Sequence, residues 1–247
     1  MPELVKFLND TGLQLIGDWY QGASKVIILC HGFTGDRLEH GKFTQAANTF
    51  HEAGFSVLAF DFSGSGDSQD APLKVESWKS DLGAALNFVR TKGASSIGIL
   101  GHSLGGLTAL NQHSEANCLV VWAPVTNKVA DSRSRYSEQD LKQIDENGFI
   151  NFAVSGDTNR THVNIPTQML TDRENINQQI LLSDIDVPVL IVHGDSDQDV
   201  PILDSRSAIN VLNKDSDLVE IAGGTHELVP KLEMFIQPSL EWFKKYL

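Results

Sequence analysis

Residues 97–110 read IGILGHSLGGLTAL. An apolar run ends at Leu100, a turn of small residues follows, and an apolar helix pattern starts at Leu104. The turn itself, Gly101-His102-Ser103-Leu104-Gly105, is a G-x-S-x-G, and Gly106 extends it. Two glycines and a serine coincide often by chance. The strand before and the helix after make the match specific, because a strand-to-helix turn this tight forces Ser103 into a strained backbone shape and presents its hydroxyl above the sheet edge. A phosphate-binding loop fits worse, since neither G-x-x-x-x-G-K-[ST] nor G-x-G-x-x-G is present.

The same alternation extends outward from this turn. Residues 3–19 read as two short strands around the turn residues Asn9, Asp10, Thr11 and Gly12. Lys25–Cys30 is a continuous apolar run of the kind found in a buried parallel strand. Residues 42–53 carry a helical pattern stopped by Gly54, and Ser56–Phe60 is again strand. Over residues 76–91, Trp78, Leu82, Ala85, Leu86 and Val89 recur near the helical period. Strand Ile97–Leu100, helix Leu104–His113 and strand Cys118–Ala123 follow. The rhythm then breaks from Pro124 to Ser183, a polar stretch too long for a connecting loop. It resumes with strands at Pro188–His193 and Asp217–Ile221 and a closing helix over residues 231–245. This order predicts an α/β fold with a doubly wound, mostly parallel sheet and helices on both faces. Residues 1–123 and 184–247 would form the core. Residues 124–183 would be an inserted cap over the end of the sheet where ligands bind.

The chain has 247 residues, long enough to bury a large core without disulfide or metal. Its two cysteines, Cys30 and Cys118, sit in apolar runs and read as buried thiols. A formal charge of −13 and the lack of a basic patch argue against nucleic-acid partners and anionic membranes, and disfavour highly charged anionic substrates. No signal peptide is legible at the start, and no apolar stretch is long enough to span a membrane, so the expected compartment is cytoplasmic.

A serine hydroxyl is a weak nucleophile and needs a base held by a third group. After Ser103 the histidines are His113, His162, His193 and His226. His113 lies at the far end of the helix, His162 in the cap, and His193 at a strand end where a structural ring is the simpler reading. His226 follows the flexible run Ile221-Ala222-Gly223-Gly224-Thr225 after the last strand, the position from which a base reaches back over the sheet edge. For the acid, VLIVHGDSDQDVP offers Asp195, Asp197 and Asp199, and alternation does not separate them. Turn-capping accounts for any two. Acyl transfer also needs donors for the developing oxyanion. One expected donor is the backbone N–H of Leu104. The other comes from the loop Cys30-His31-Gly32-Phe33-Thr34-Gly35, where the Phe33 N–H is the natural choice and His31 and Gly32 support the loop's tight path.

These residues together resemble an α/β-hydrolase, and within it the bacterial cinnamoyl (feruloyl) esterase and monoacylglycerol lipase-like serine esterases. The matching elements are His31–Gly35, the D-x-x-G-x-G-x-S run from Asp61 to Ser68, Gly101–Gly106, and His193–Pro201. The resemblance implies that the acid is the aspartate three residues after Gly194, which is Asp197. It places the base on His226 and the oxyanion donors on Phe33 and Leu104. Dehalogenases and epoxide hydrolases of this fold need an aspartate where Ser103 stands, and a metallohydrolase reading lacks a His/carboxylate cluster and an H-E-x-x-H.

The expectation is therefore a carboxylesterase-type serine hydrolase acting on a small-molecule ester: small, aromatic-acid (hydroxycinnamoyl among them) or short-to-medium acyl. No cofactor and no metal are expected. In the cap, Tyr136, Phe149, Phe152 and Met169 are candidates to line an apolar substrate pocket, although a small cap also needs such residues for its own core. A serine aminopeptidase or amidase shares the same three side chains, with Glu138, Asp140, Asp145 or Glu146 available to anchor an amine. An acyltransferase and a non-catalytic ligand-binding protein complete the alternatives.

Overall fold

The computed structural model describes residues 1–247. Apolar strands and amphipathic helices alternate from the start. The core strands are β1 (Glu3–Leu8), β2 (Gln14–Tyr20), β3 (Lys25–Cys30), β4 (Ser56–Phe60), β5 (Ser96–His102) and β6 (Cys118–Trp122). Among them lie helices α1 (Lys42–Glu52), α2 (Val75–Thr91) and α3 (Leu104–Asn111). The stretch after β6 holds α4 (Glu138–Asn147), β7 (Phe149–Ala153), β8 (His162–Pro166), α5 (Thr167–Glu174) and α6 (Gln178–Leu182). Then come β9 (Val189–Gly194), α7 (Ile202–Ala208), β10 (Asp217–Ile221) and α8 (Leu232–Tyr246).

Eight strands form one sheet in the order β1-β2-β4-β3-β5-β6-β9-β10. The first two join antiparallel, and the other six are parallel to one another. Strands buried on both faces need apolar residues at successive positions, and the sheet distributes them by parity. Val26, Ile28, Ile97, Ile99, Leu119 and Val121 face a core completed by α2 and α3. Ile27, Leu29, Val57, Leu100, Val120 and Trp122 face another completed by α1 and α8. Both cysteines are buried and free, and burial pushes the Cys118 thiol up to about 12 and the Cys30 thiol higher still. No helix is long and apolar enough to cross a membrane.

The long interruption after β6 is an inserted cap of helices and a hairpin. β7 and β8 pair antiparallel as a separate two-stranded sheet, and their apolar faces (Ile150, Val163, Ile165) join Ile144, Met169 and Leu170 in the core on the α2/α3 side. The hairpin is tied back to the main sheet's loops. Leu73 N–H donates to the Asn164 carbonyl, and Arg160 donates to the Gly66 and Ser68 carbonyls and to Asp70. Helix α7, between β9 and β10, has no counterpart in the sequence-based expectation; it opens at Ile202 directly after Pro201, a residue suited to the threshold of a helix.

Candidate active site

The sheet order reverses between β3 and β5, so the loops after these neighbouring strands diverge and leave a crevice at their carboxyl ends. Cys30 and Gly101 stand opposite each other at that edge. Ser103 follows β5 with φ 52 and ψ −115, a conformation rare for a residue with a side chain. It is fixed from both sides: its N–H donates to the Trp122 carbonyl at 2.9 Å, and its carbonyl accepts from Val125 N–H at 3.1 Å. The flanking glycines are required by close approach. A Cβ on Gly101 would strike the Gly105 carbonyl, and one on Gly105 would strike the carbonyls of Cys30 and His31.

Ser103, Asp197 and His226 come from three separate loops and meet. His226 Nε2 lies 3.0 Å from Ser103 Oγ, and His226 Nδ1 lies 2.7 Å from Asp197 Oδ2. An ionised carboxylate only accepts, so Nδ1 carries the proton and Nε2 offers its lone pair to the serine hydroxyl. Asp197 accepts further bonds from the Asp199 and Val200 N–H groups at Oδ1 and from His193 Nε2 at Oδ2. Burial pushes the Asp197 carboxyl up, but the bonds from His193 and His226, the His226 charge and the Val200 N–H outweigh burial. They hold it well below the usual carboxylate range. The neighbouring acids do other work: Asp195 caps the Gly223 N–H, and Asp199 lies near Arg135.

In the loop after β3, the His31 ring bonds the Gly32 carbonyl through Nδ1 and accepts the Phe62 N–H at Nε2, bracing the loop as its position implies. Neither the Phe33 nor the Leu104 N–H donates to any acceptor of the chain. Sequence reasoning missed Glu39, which is buried and accepts from Gly32 N–H in the same loop. His102 bridges Glu39 and the far partner: its Nδ1 is 3.4 Å from Glu39 Oε1 and its Nε2 3.2 Å from the His226 carbonyl. Lys42 stands 3.6 Å from Glu39 and 3.3 Å from Glu227. Burial pushes the Glu39 carboxyl up, yet His102, Lys42 and the Gly32 N–H outweigh it and hold it well below its ordinary value. In sequence Glu39 is one acid in a polar loop, with no periodicity to mark it as buried.

A cavity of about 260 Å³ opens over Ser103 and His226, walled by Phe33, Glu39, His102 and Phe152. A second, of about 170 Å³, shares Phe33, Thr34 and Phe152 with the first and runs under the cap. Tyr136, Phe152 and Met169 line it. Phe149 does not, which corrects the sequence-based expectation. It is 39% exposed and pairs with Pro166 at the outer end of the hairpin. Strand alternation explains the difference, since Phe149 and Phe152 are three residues apart and therefore leave β7 on opposite faces. Asp197, Asp199 and His226 also bring three possible metal-ligand atoms within 4.8 Å of one another. Asp197 and His226 already satisfy each other there, which leaves a poor cradle for a cation.

The chain has the α/β-hydrolase fold, a mostly parallel eight-stranded sheet flanked by helices with an inserted cap. Residues 21–138 match the serine aminopeptidase (S33) hydrolase family. The monoacylglycerol lipase of Mycolicibacterium smegmatis is 25% identical over 256 residues, a span that takes in 90% of this chain and 89% of that one. Among solved structures, ferulic acid-bound Est1E of Butyrivibrio proteoclasticus superimposes with a TM-score of 0.78 at 22% identity, covering 98% of this chain and 99% of the other. The Paleococcus ferrophilus monoacylglycerol lipase does so with a TM-score of 0.72 at 20% identity, covering 94% and 99%.

Proposed function

We propose that the protein is a carboxylic-ester hydrolase in which Ser103 is the nucleophile, His226 the general base and Asp197 the residue that orients and charges the base. The observation that carries this reading is the relay from Ser103 Oγ through His226 to Asp197, at 3.0 and 2.7 Å. Ser103 Oγ attacks the ester carbonyl as His226 Nε2 takes its proton, and Asp197 stabilises the imidazolium. The free N–H groups of Phe33 and Leu104, the latter at the start of α3, hold the oxyanion. His226 then returns the proton to the departing alcohol. Water, activated by the same nitrogen, hydrolyses the acyl-enzyme and restores Ser103.

The substrates are esters with small, aromatic-acid or short-to-medium acyl groups, with the cap taking one arm. An amine-anchoring aminopeptidase is less well supported. Glu138, Asp140, Asp145 and Glu146 line neither cavity, and the carboxylates on the cavity wall, Glu39 and Glu227, are both beside Lys42. Hydrolysis of 4-nitrophenyl acetate by wild type and Ser103→Ala tests the reading. The variant should fold, by circular dichroism, and lose on the order of 10⁶-fold in kcat. A folded variant that retains wild-type turnover rejects it.

A further inference from the structure

The cavity under the cap contains a cation without a partner. Arg173, on α5, lines it together with Tyr136, Met169 and Leu170. Its side chain makes no hydrogen bond and no ion pair, and its Nε is buried and unsatisfied. No acidic residue lines this cavity. The carboxylate next in sequence, Glu174, accepts from the Ser132 N–H and hydroxyl instead. Nor does Arg173 lie over an aromatic ring, since the cation–π contacts of the chain belong to Lys92 and Lys245.

Other sheltered cations are matched. Arg37 meets Asp18, Asp61 and Asp67; Lys42 meets Glu39 and Glu227; Arg160 meets Asp70. Arg135 shares the cavity wall with Arg173 but sits at its exposed rim and donates to the Asp199 carbonyl. Burial, then the charge of Arg135, pull the Arg173 guanidinium down to about 10, so it stays charged at neutral pH. The residue as a whole is half-buried, and a sheltered guanidinium whose Nε has neither protein partner nor solvent is costly, so folding alone gives no reason to keep it there. A guanidinium is also the group whose planar fork fits a terminal oxyanion.

We infer that Arg173 receives the anionic end of the substrate, so that the preferred esters carry a free carboxylate on one arm, with a short apolar stretch between it and the scissile bond. The inference deepens the ester-hydrolase reading and rests on it. Phe33, Thr34 and Phe152 border both cavities, so one molecule can lie with its ester over Ser103 and its carboxylate against Arg173. The chain's net charge of −13 opposes anions at long range, but this cavity presents two arginines and no acid.

The test pairs esters in which a carboxylate replaces a terminal methyl: methyl hydrogen adipate against methyl hexanoate for the acyl arm, and 4-acetoxybenzoate against 4-methylphenyl acetate for the alcohol arm, the last pair corrected for the leaving phenol's acidity by its uncatalysed hydrolysis. Wild type should prefer the anionic member of at least one pair by about 10–100-fold in kcat/KM, carried by KM, the span of one charge-assisted contact. Arg173→Met should erase that preference, read as the ratio of kcat/KM within each pair. Arg173→Lys should keep part of it. Thermal unfolding separates binding from architecture: R173M should be at least as stable as wild type, whereas a structural arginine would lower Tm on removal. Calorimetry on Ser103→Ala, with and without R173M, reads binding of methyl hydrogen adipate and 4-acetoxybenzoate without turnover. Neutral esters hydrolysed with no preference on either arm would overturn the inference and leave the esterase reading standing. Arg173-dependent binding to S103A without hydrolysis of any ester by wild type would overturn the esterase reading and leave the anion site. An R173M protein that loses stability and neutral-ester activity together would also overturn the inference.

Discussion

His193 Nε2 lies 3.1 Å from Asp197 Oδ2, the same oxygen that meets His226 Nδ1. The His193 ring is fully buried, with Nδ1 2.7 Å from Ser205 Oγ and Nε2 also 3.1 Å from the Val200 carbonyl. Protonated at Nε2, it donates to Asp197 and Val200 while Ser205 donates to Nδ1. The strand-end histidine is therefore structural in a particular sense: it locks the rotamer of the carboxylate that orients the proposed base.

His193→Phe keeps a flat aromatic ring, somewhat larger than the imidazole, and removes the donor. A charge-assisted hydrogen bond contributes about 1.5–3 kcal/mol, so kcat/KM for 4-nitrophenyl acetate should fall about 10–100-fold in a folded protein. The loss should appear in kcat rather than KM, because His193 lines neither cavity. An unchanged kcat would show that Asp197 holds its position without the ring.

The three aspartates of the β9 loop should separate cleanly. Asp197→Asn leaves the His226 tautomer free and should cost about 10³–10⁴-fold in kcat/KM at neutral pH. Asp195→Asn touches only the Gly223 N–H and the Ser196 hydroxyl, and Asp199→Asn only the neighbourhood of Arg135. Both should stay within about tenfold of wild type. A larger loss for either, in a folded protein, would reassign the acid.

Glu39 should set part of the acid stability. Its carboxyl is held below its ordinary value in the folded state, so its contribution is fully present above the unfolded pKa of about 4.3. That contribution disappears as pH falls from there toward the folded value. Glu39→Gln breaks a buried charge cluster and should lose about 3 kcal/mol at pH 7, or roughly 6–12 °C in Tm. The gap between wild type and variant should narrow from pH 5 to pH 3. A gap that stays constant or widens with acidification would mean Glu39 is not ionised in the fold.

The sheet, the turn at Ser103 and the loop that carries His226 are legible because each rests on a local signal. The apolar runs that become β3 and β5, and the glycines flanking Ser103, encode the strand-turn-helix directly, and a glycine-rich loop after a strand marks His226. Asp197 needed the resemblance, because Asp195 and Asp199 have the same alternation and the same turn chemistry. Glu39 and Arg173 were not legible at all: their burial is created by loops and helices distant in sequence. Residue type alone makes Phe149 a pocket candidate, and only strand parity separates it from Phe152.

The cap should govern which ester is taken more than how fast a small one reacts. Its hairpin is tethered by Arg160, which donates to the Gly66 and Ser68 carbonyls at 3.0 and 2.8 Å and to Asp70 at 2.7 Å. A second tether is Asp36, whose Oδ2 accepts from Asp157 N–H and the Thr158 hydroxyl. Asp36 belongs to the loop that carries Phe33, so the hairpin and that loop are fastened together. Deleting residues 124–183 would strip Ile150, Val163 and Ile165 from the α2/α3 core, so a gentler variant is the better probe. Arg160→Ala removes the first tether while Asp36 keeps the Phe33 loop in place. The ratio of kcat/KM for a hydroxycinnamoyl ester to that for an acetyl aryl ester should fall by about five- to tenfold, because binding energy from the larger arm is used only when the cap is seated. Proteolysis between residues 154 and 161 should accelerate in parallel, reporting the released hairpin. Faster proteolysis with an unchanged ratio would place specificity in the core loops and remove the cap from substrate selection.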